Sequence, residues 1–182
     1  LSGDGGDEML GGYNRHIAGP KAWNIVQNTP PILHKAIAGA IKAVPPHRWD
    51  ALRKNRPQFG AHMHKFASIF EKACEGDVYL SFVSAFAKPK TMVVNGREEI
   101  IPLVDDEMQL ALDFAQSMMY WDTISYLPGD VLTKVDRASM AVSLEARAPL
   151  LDRRVFDYVW RLPMDVKIKE GQGKWLLREV LA

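Results

Sequence analysis

The chain has 182 residues, 47% hydrophobic and 25% charged, which places it among globular proteins with one core of ordinary size. Its 23 Lys and Arg residues nearly balance 22 Asp and Glu residues, so a net charge of +1 gives no electrostatic case for nucleic acid or membrane partners. No apolar run approaches the roughly 20 residues of a membrane helix, and no signal-like segment is present at the start. We therefore expect a soluble, cytoplasmic protein.

The first residues, 1–13, form a glycine-rich stretch with the sequence LSGDGGDEMLGGY. Such a loop is ordered only when flanking elements hold its ends, because glycine loses the most conformational entropy. We therefore expect a fragment whose preceding strand is missing. Small residues let the backbone approach a ligand, and Asp4, Asp7 and Glu8 offer the oxygen ligands that Mg²⁺ prefers. The same composition is also typical of a solvated acidic turn.

Three amphipathic helices are predicted next, because apolar residues recur there every three or four positions. The first spans 31–44 and ends at a Pro-Pro pair, since proline cannot donate to the helix ladder. Residues 91–101 are typical of a short hairpin around an Asn-Gly turn. The expected core residues of the three helices are Ile32, Leu33, Ala36, Ile37, Ala40, Ile41 and Val44, then Phe59, Met63, Phe66, Phe70 and Ala73, then Val78, Phe82, Ala85 and Phe86.

The second half of the chain is also predicted to be helical. A long helix begins at a cap, Asp105 or Asp106, and ends before Pro128-Gly129. The fold class expected for the fragment is therefore mainly α. Further helices are expected over 130–144, over 152–161 with Asp152 as N-cap, and over 173–181.

Residues 126–152, YLPGDVLTKVDRASMAVSLEARAPLLD, mix apolar residues with charges of both signs. A helix that begins near residue 130 could line a cleft with charged side chains, among them Asp136 and Arg137. The alternative is a surface helix with ordinary ion pairs, each contributing at most about 1 kcal/mol. Glu145 and Arg147 are expected to form a partly buried structural pair.

A third stretch, 171–178, leads from flexible glycines into a helix that begins with Lys174. A lysine at a helix start opposes the helix dipole, so its presence indicates an anion nearby, such as a phosphate. Simple solvent exposure of the lysine is equally compatible with the pattern. The sequence is not a Walker A loop, because GxxxxGK[ST] is absent.

Together the three stretches resemble, in order and spacing, the C-terminal synthetase domain of glutamine-dependent asparagine synthetases. The matching segments are LSGDGGDEMLGGYNRH, the charged stretch 126–152, and GKWLLREVL. The resemblance covers essentially the whole chain. It is strongest over 1–16 and 126–181, and weak over 20–100.

This resemblance implies a pyrophosphatase-type α/β core that binds ATP and Mg²⁺, with a parallel sheet that lies largely upstream. Such enzymes activate the side-chain carboxylate of aspartate as an acyl-adenylate, and ammonia from an N-terminal glutaminase domain then displaces AMP. Residues 1–182 would be the C-terminal portion of the synthetase domain, without the glutaminase domain or the SGGxDS phosphate loop. The isolated fragment is expected to be inactive, and a homodimer is left open.

Individual roles also follow from the resemblance. Ser2 and Gly3 match positions that contact ATP, and Asp7 matches a magnesium ligand. Lys174 matches a lysine that stabilises the phosphates as pyrophosphate leaves. Asp4 stands where these enzymes often carry a glutamate tied to adenylation and to proton acceptance.

The aspartate at position 4 is a departure from the family pattern, and its shorter side chain leaves room for a different acceptor. Relatives with similar motifs form β-lactams or amidate sugars and peptides. A related amidotransferase that acts on another carboxylate is therefore one alternative. A non-catalytic helical interaction module is the other.

Overall fold

The computed structural model describes residues 1–53, 58–84 and 112–182. They form two compact units, the first made of 1–18 with 112–182 and the second of 19–53 with 58–84. The helices are α1 (Gly6–Met9), α2 (Asn14–Gln27), α3 (Pro31–Ala43), α4 (Pro46–Leu52), α5 (Phe59–Ile69), α6 (Glu75–Val83), α7 (Phe114–Trp121), α8 (Thr133–Met140), α9 (Arg153–Arg161), α10 (Met164–Lys167) and α11 (Trp175–Leu181).

The expectation of a mainly helical chain is confirmed over the described residues. Their only sheet is an antiparallel hairpin of two short strands, β1 (Ile168–Lys169) and β2 (Gln172–Gly173). No helix in these ranges is long and apolar enough to cross a membrane. The predicted hairpin at 91–101, the cap at Asp105 or Asp106, and the core residues Ala85 and Phe86 lie outside the described ranges.

In the second unit, α3 has nearly the predicted bounds, but part of its predicted core face is wrong. Ile32 is 87% exposed and Leu33 46%, whereas Ala38 is buried. The reason is that α3 packs on α5 through the side that carries His34, whose ring lies 5.5 Å from that of Phe70. The apolar stripe of α3 is wider than the surface that one neighbouring helix covers.

In the first unit, α7 begins at a cap that the sequence analysis missed. Asp113 accepts a hydrogen bond from the backbone N–H of Gln116 at 2.8 Å, and the Gln116 side chain accepts one from the N–H of Asp113 at 3.0 Å. This reciprocal pair is a capping box. The buried residues of α7 are Phe114, Ser117, Met118, Met119 and Trp121.

The predicted break at Pro128-Gly129 is wrong. The chain stays helical from residue 114 to residue 140, because α7 continues into a π-helical segment, Asp122–Leu132, and then into α8. Wide helical turns accommodate the proline with the loss of one hydrogen bond. The Thr133 hydroxyl donates to the carbonyl of Pro128 at 2.9 Å, which satisfies one acceptor there.

The core of the first unit fastens the glycine-rich stretch to the C-terminal helices. Met9 and Leu10, which are almost fully buried, pack with Val159 of α9. The start of α9 confirms the predicted N-cap, because the Asp152 carboxylate accepts from the N–H of Arg154 at 2.9 Å. Hydrogen bonds from Arg154 also lower the pKa of Asp152 to about 2. The partly buried residues around this core are Leu150, Leu151, Val155, Phe156 and Leu177.

Candidate functional site

The glycine-rich stretch turns sharply before α1. Gly5 has φ of +89°, a left-handed conformation that glycine adopts without steric cost, and a side chain there would collide with Leu151. The turn directs Met9 and Leu10 into the core. On the opposite side of this short helix, the Asp7 side chain reaches the surface with 37% of its area exposed.

Asp7 forms an ion pair with Lys174, and the two charged atoms, Oδ1 and Nζ, lie 2.8 Å apart. The pair lies over Gly12, where an added Cβ would collide with both side chains. The Asp7 carboxylate is thus the anion next to Lys174 in this structure, and a phosphate partner for Lys174 stays a prediction. The sequence analysis named both residues as site candidates but did not predict that they touch.

Lys174 is held in place by backbone contacts. It follows β2 and has a left-handed conformation, with φ of 55°, and its N–H donates to the carbonyl of Leu10 at 2.8 Å. Gly173 lies so close to the Gly11 carbonyl that a side chain would not fit. These two contacts hold the β1–β2 hairpin against the glycine-rich stretch.

These elements enclose a cleft of about 440 Å³. Its walls combine one carboxylate, two cationic side chains and two amides with the backbone of a glycine-containing turn. A cleft of this size and polarity suits a small anionic ligand. The lining residues are Asp7, Gly12, Asn14, Ile17, Gly171, Gln172, Gly173, Lys174 and Arg178.

Ser2, Gly3 and Asp4 form a separate turn outside the lining of this cleft. The Ser2 hydroxyl donates to the Asp4 carboxylate and accepts from the Asp4 N–H at 3.3 Å. The Ser2 N–H donates to the carbonyl of Arg147 at 2.8 Å. Gly3 is exposed, and the space where a Cβ would project is open.

Five polar residues that do not line the cleft contact one another, and we name them the buried polar cluster: Glu8, Tyr13, Arg15, His16 and Asp122. The Tyr13 hydroxyl donates to Glu8 Oε1 at 2.6 Å, and burial together with this hydrogen bond raises the pKa of Tyr13. His16 Nε2 lies 2.6 Å from Asp122 Oδ2, and both side chains are fully buried. The sequence analysis missed Tyr13, Arg15, His16 and Asp122 as a group.

Arg15 joins the two halves of the buried polar cluster. Its Nε donates to Asp122 Oδ2 at 2.9 Å, and a terminal nitrogen lies 2.9 Å from Oδ1 of the same carboxylate. Its guanidinium carbon lies 3.8 Å from the centre of the Tyr13 ring and 4.8 Å from that of Tyr126. This stacking ties the glycine-rich stretch to the π-helical segment.

The three carboxylates of the glycine-rich stretch do not converge on one point. Asp4 contacts Ser2, Asp7 contacts Lys174, and Glu8 contacts Tyr13. Within the described ranges no group of three or more His, Cys, Asp or Glu side chains could hold a metal ion. Mg²⁺ needs only one or two protein carboxylates when water and substrate phosphates complete its shell, so the exposed Asp7 carboxylate is compatible with such an ion.

The charged residues of 126–152 lie mostly at the surface. Asp136 and Arg137 are exposed on α8, apart from the cleft walls described above, and their role as cleft-lining residues stays a prediction. Glu145 and Arg147 form the expected ion pair at 3.3 Å, but its predicted partial burial is wrong, because their side chains are 73% and 74% exposed. The extended segment that carries them has no described element packed over these side chains.

Comparison with known proteins agrees with this arrangement of motifs. The sequence matches the asparagine synthase family over residues 1–182. The chain belongs to the asparagine synthase family. No solved structure matches it.

Two relatives come from Bacillus subtilis (strain 168). The chain is 28% identical over 187 residues to Asparagine synthetase (glutamine-hydrolyzing) 1, a match that covers 98% of this chain and 27% of the relative. It is 34% identical over 80 residues to Asparagine synthetase (glutamine-hydrolyzing) 3, covering 44% of this chain and 13% of the relative. The chain thus spans about a quarter of the length of the first relative.

Proposed function

We propose that this chain supplies part of the active site of a cytoplasmic, ATP-dependent ligase that converts aspartate to asparagine. The ammonia would come from glutamine, through a glutaminase domain of the same parent protein. Family membership supports the reaction class. The observation that carries the proposal is the cleft in which Asp7 and Lys174, far apart in sequence, form an ion pair at 2.8 Å.

In this proposal the two residues of the pair have different roles. Asp7 would hold Mg²⁺ through its carboxylate, and Lys174 would stabilise negative charge on the phosphates as pyrophosphate leaves. ATP supplies the adenylyl group that activates the carboxylate. A cation held by Asp7 would free Lys174 from the ion pair and leave its charge available to the phosphates.

The first turn would act beside the cleft. Ser2 and Gly3 would contact ATP, and the open space at Gly3 lets a ligand approach the backbone. Asp4 would accept a proton from the attacking ammonia, a role that a carboxylate can fill when its geometry is right. Its hydrogen bond from Ser2 orients it.

The identity of the carboxylate that is amidated is the most specific part of the proposal. Aspartate is the acceptor suggested by the names of the relatives. An aspartate at position 4 is shorter than glutamate and leaves more room near the reacting groups, which favours a test of larger carboxylates as well. The alternative of an amidotransferase for sugars or peptides is decided by that test.

The experiment follows pyrophosphate release by the full-length protein with Mg-ATP and a panel of carboxylates, with glutamine or ammonium as the nitrogen source. We expect release that depends on aspartate and yields asparagine. Release with a sugar or peptide carboxylate in place of aspartate would assign the other acceptor class. No release with any carboxylate would reject a ligase and favour the interaction module.

A further inference from the structure

Arg178 lies in the wall of the cleft, and the proposed function gives it no role. It lies in α11, four residues after Lys174, the N-cap of that helix, and both residues line the cleft. Its Nε donates to the carbonyl of Gly173 at 3.2 Å, and its N–H donates to the carbonyl of Lys174 at 3.1 Å. The same residue therefore fixes the turn that presents Lys174.

The two terminal nitrogens of the Arg178 side chain are available to a ligand. Among the described residues, no hydrogen bond or ion pair uses its two terminal nitrogens. Asp7 and Lys174 offset each other across 2.8 Å, so Arg178 contributes the uncompensated charge among the side chains that line the cleft. A planar guanidinium with free donors matches phosphate oxygens in a bidentate manner.

We propose that Arg178 is a second phosphate-binding cation, which holds the Gly173 carbonyl through Nε and binds the pyrophosphate group of the nucleotide through its terminal nitrogens. This inference rests on the proposed function, because it assigns a further ligand contact to the same cleft. Two adjacent cations suit an anion that carries several charges better than a single carboxylate. Arg178 thus contributes to affinity for the polyphosphate portion and to the position of Lys174.

The test is calorimetric titration of inorganic pyrophosphate into the full-length protein and its variants at two salt concentrations. We expect Arg178→Gln to raise the dissociation constant for pyrophosphate about tenfold and to make pyrophosphate binding less dependent on salt. Arg178→Lys should have a dissociation constant between those of wild type and Arg178→Gln. Lysine restores the charge but not the planar guanidinium that also binds the Gly173 carbonyl. Arg153→Gln removes a cation that is 92% exposed on α9 and should bind as the wild type does.

The outcomes separate the two proposals. Equal affinity of wild type, Arg178→Gln and Arg178→Lys would overturn the role of Arg178 and leave the proposed function intact. Failure of the wild type to bind pyrophosphate would overturn both. If Arg178→Gln does not fold, as judged by its thermal unfolding, the comparison of Arg178→Lys with wild type decides, since that variant keeps the charge on α11.

Discussion

Asp7 and Glu8 are consecutive carboxylates of one short helix, and they end in opposite surroundings. Asp7 lies in an open cleft, where its side chain is 37% exposed and its partner Lys174 is 32% exposed. Glu8 is 1% exposed and accepts a hydrogen bond from Tyr13 in the buried polar cluster. Asp7 and Lys174 can each exchange the other for a ligand, because their pair is exposed. Glu8 cannot leave Tyr13 without disturbing the fold.

The comparison shows how one stretch of sequence serves two purposes. The buried polar cluster joins the stretch to the π-helical segment through Asp122, and the cleft uses the position that results. Buried charges that are paired are costly to disrupt, while exposed ion pairs contribute little to stability. Substitutions in the two regions should therefore separate into losses of folding and losses of function.

The largest loss of stability is expected for Asp122→Asn. The change removes the charge that Arg15 and His16 share, and leaves the guanidinium inside the protein without its counterion. We expect the free energy of unfolding to fall by about 3 kcal/mol. Urea denaturation of the full-length protein measures this. Asp157→Asn, at an exposed pair on α9, serves as the matched control and should be nearly unchanged.

Gly12→Ala should lower activity and leave stability almost unchanged, the opposite of what we expect for Asp122→Asn. The new methyl group would occupy the space under the Asp7–Lys174 pair and push apart the ends of two flexible side chains. Because displaced groups at a reaction centre can lower rates by about a hundredfold, we expect a loss of that order in pyrophosphate release. The unfolding midpoint should change little. Normal release together with a strongly lowered midpoint would show that Gly12 belongs to the structural region instead.

Tyr13→Phe should have the smallest effect of the three. The change keeps the ring that stacks on Arg15 and deletes the hydrogen bond to Glu8, so we expect a loss of about 2 kcal/mol at neutral pH. The raised pKa of Tyr13 means that the hydroxyl ionises first in the unfolded chain, near its ordinary value of 10.0. Its contribution is therefore fully present below that pH and is lost as pH rises above it.

The difference in the free energy of unfolding between wild type and Tyr13→Phe should accordingly become smaller above pH 10. Denaturation at a series of pH values, with ultraviolet absorbance to follow phenolate formation, measures both quantities. A difference that widens with pH would contradict the hydrogen bond to a buried carboxylate.

Local patterns predicted much of the fold. The helices at 31–44 and 152–161, with Asp152 as a cap, depend on nearby residues, and the structure has them almost at the predicted bounds. The break predicted at Pro128-Gly129 is absent, because a wider helical turn accommodates a residue that ordinarily ends a helix. The face of α3 was partly wrong, since neighbouring helices decide which apolar residues are covered.

Two residues of the cleft were predictable from the sequence, but its geometry was not. Asp7 and Lys174 stood out through motif chemistry, yet their contact depends on the β1–β2 hairpin, whose strands are only two residues long. Asp122 gave no local signal, because a single aspartate in a helical stretch resembles a surface residue. Gly12 and Arg178 belonged to recognised motifs, but only the packing shows that they line the cleft.

The most direct test compares Asp7→Asn with Glu8→Gln in the full-length protein. Exchange of labelled pyrophosphate into ATP in the presence of aspartate, and thermal unfolding, are measured on both variants. We predict that Asp7→Asn loses exchange and keeps its unfolding midpoint, and that Glu8→Gln lowers the midpoint because it disturbs a buried hydrogen bond. Wild-type exchange in Asp7→Asn would contradict the assignment of the cleft as the site of ATP chemistry.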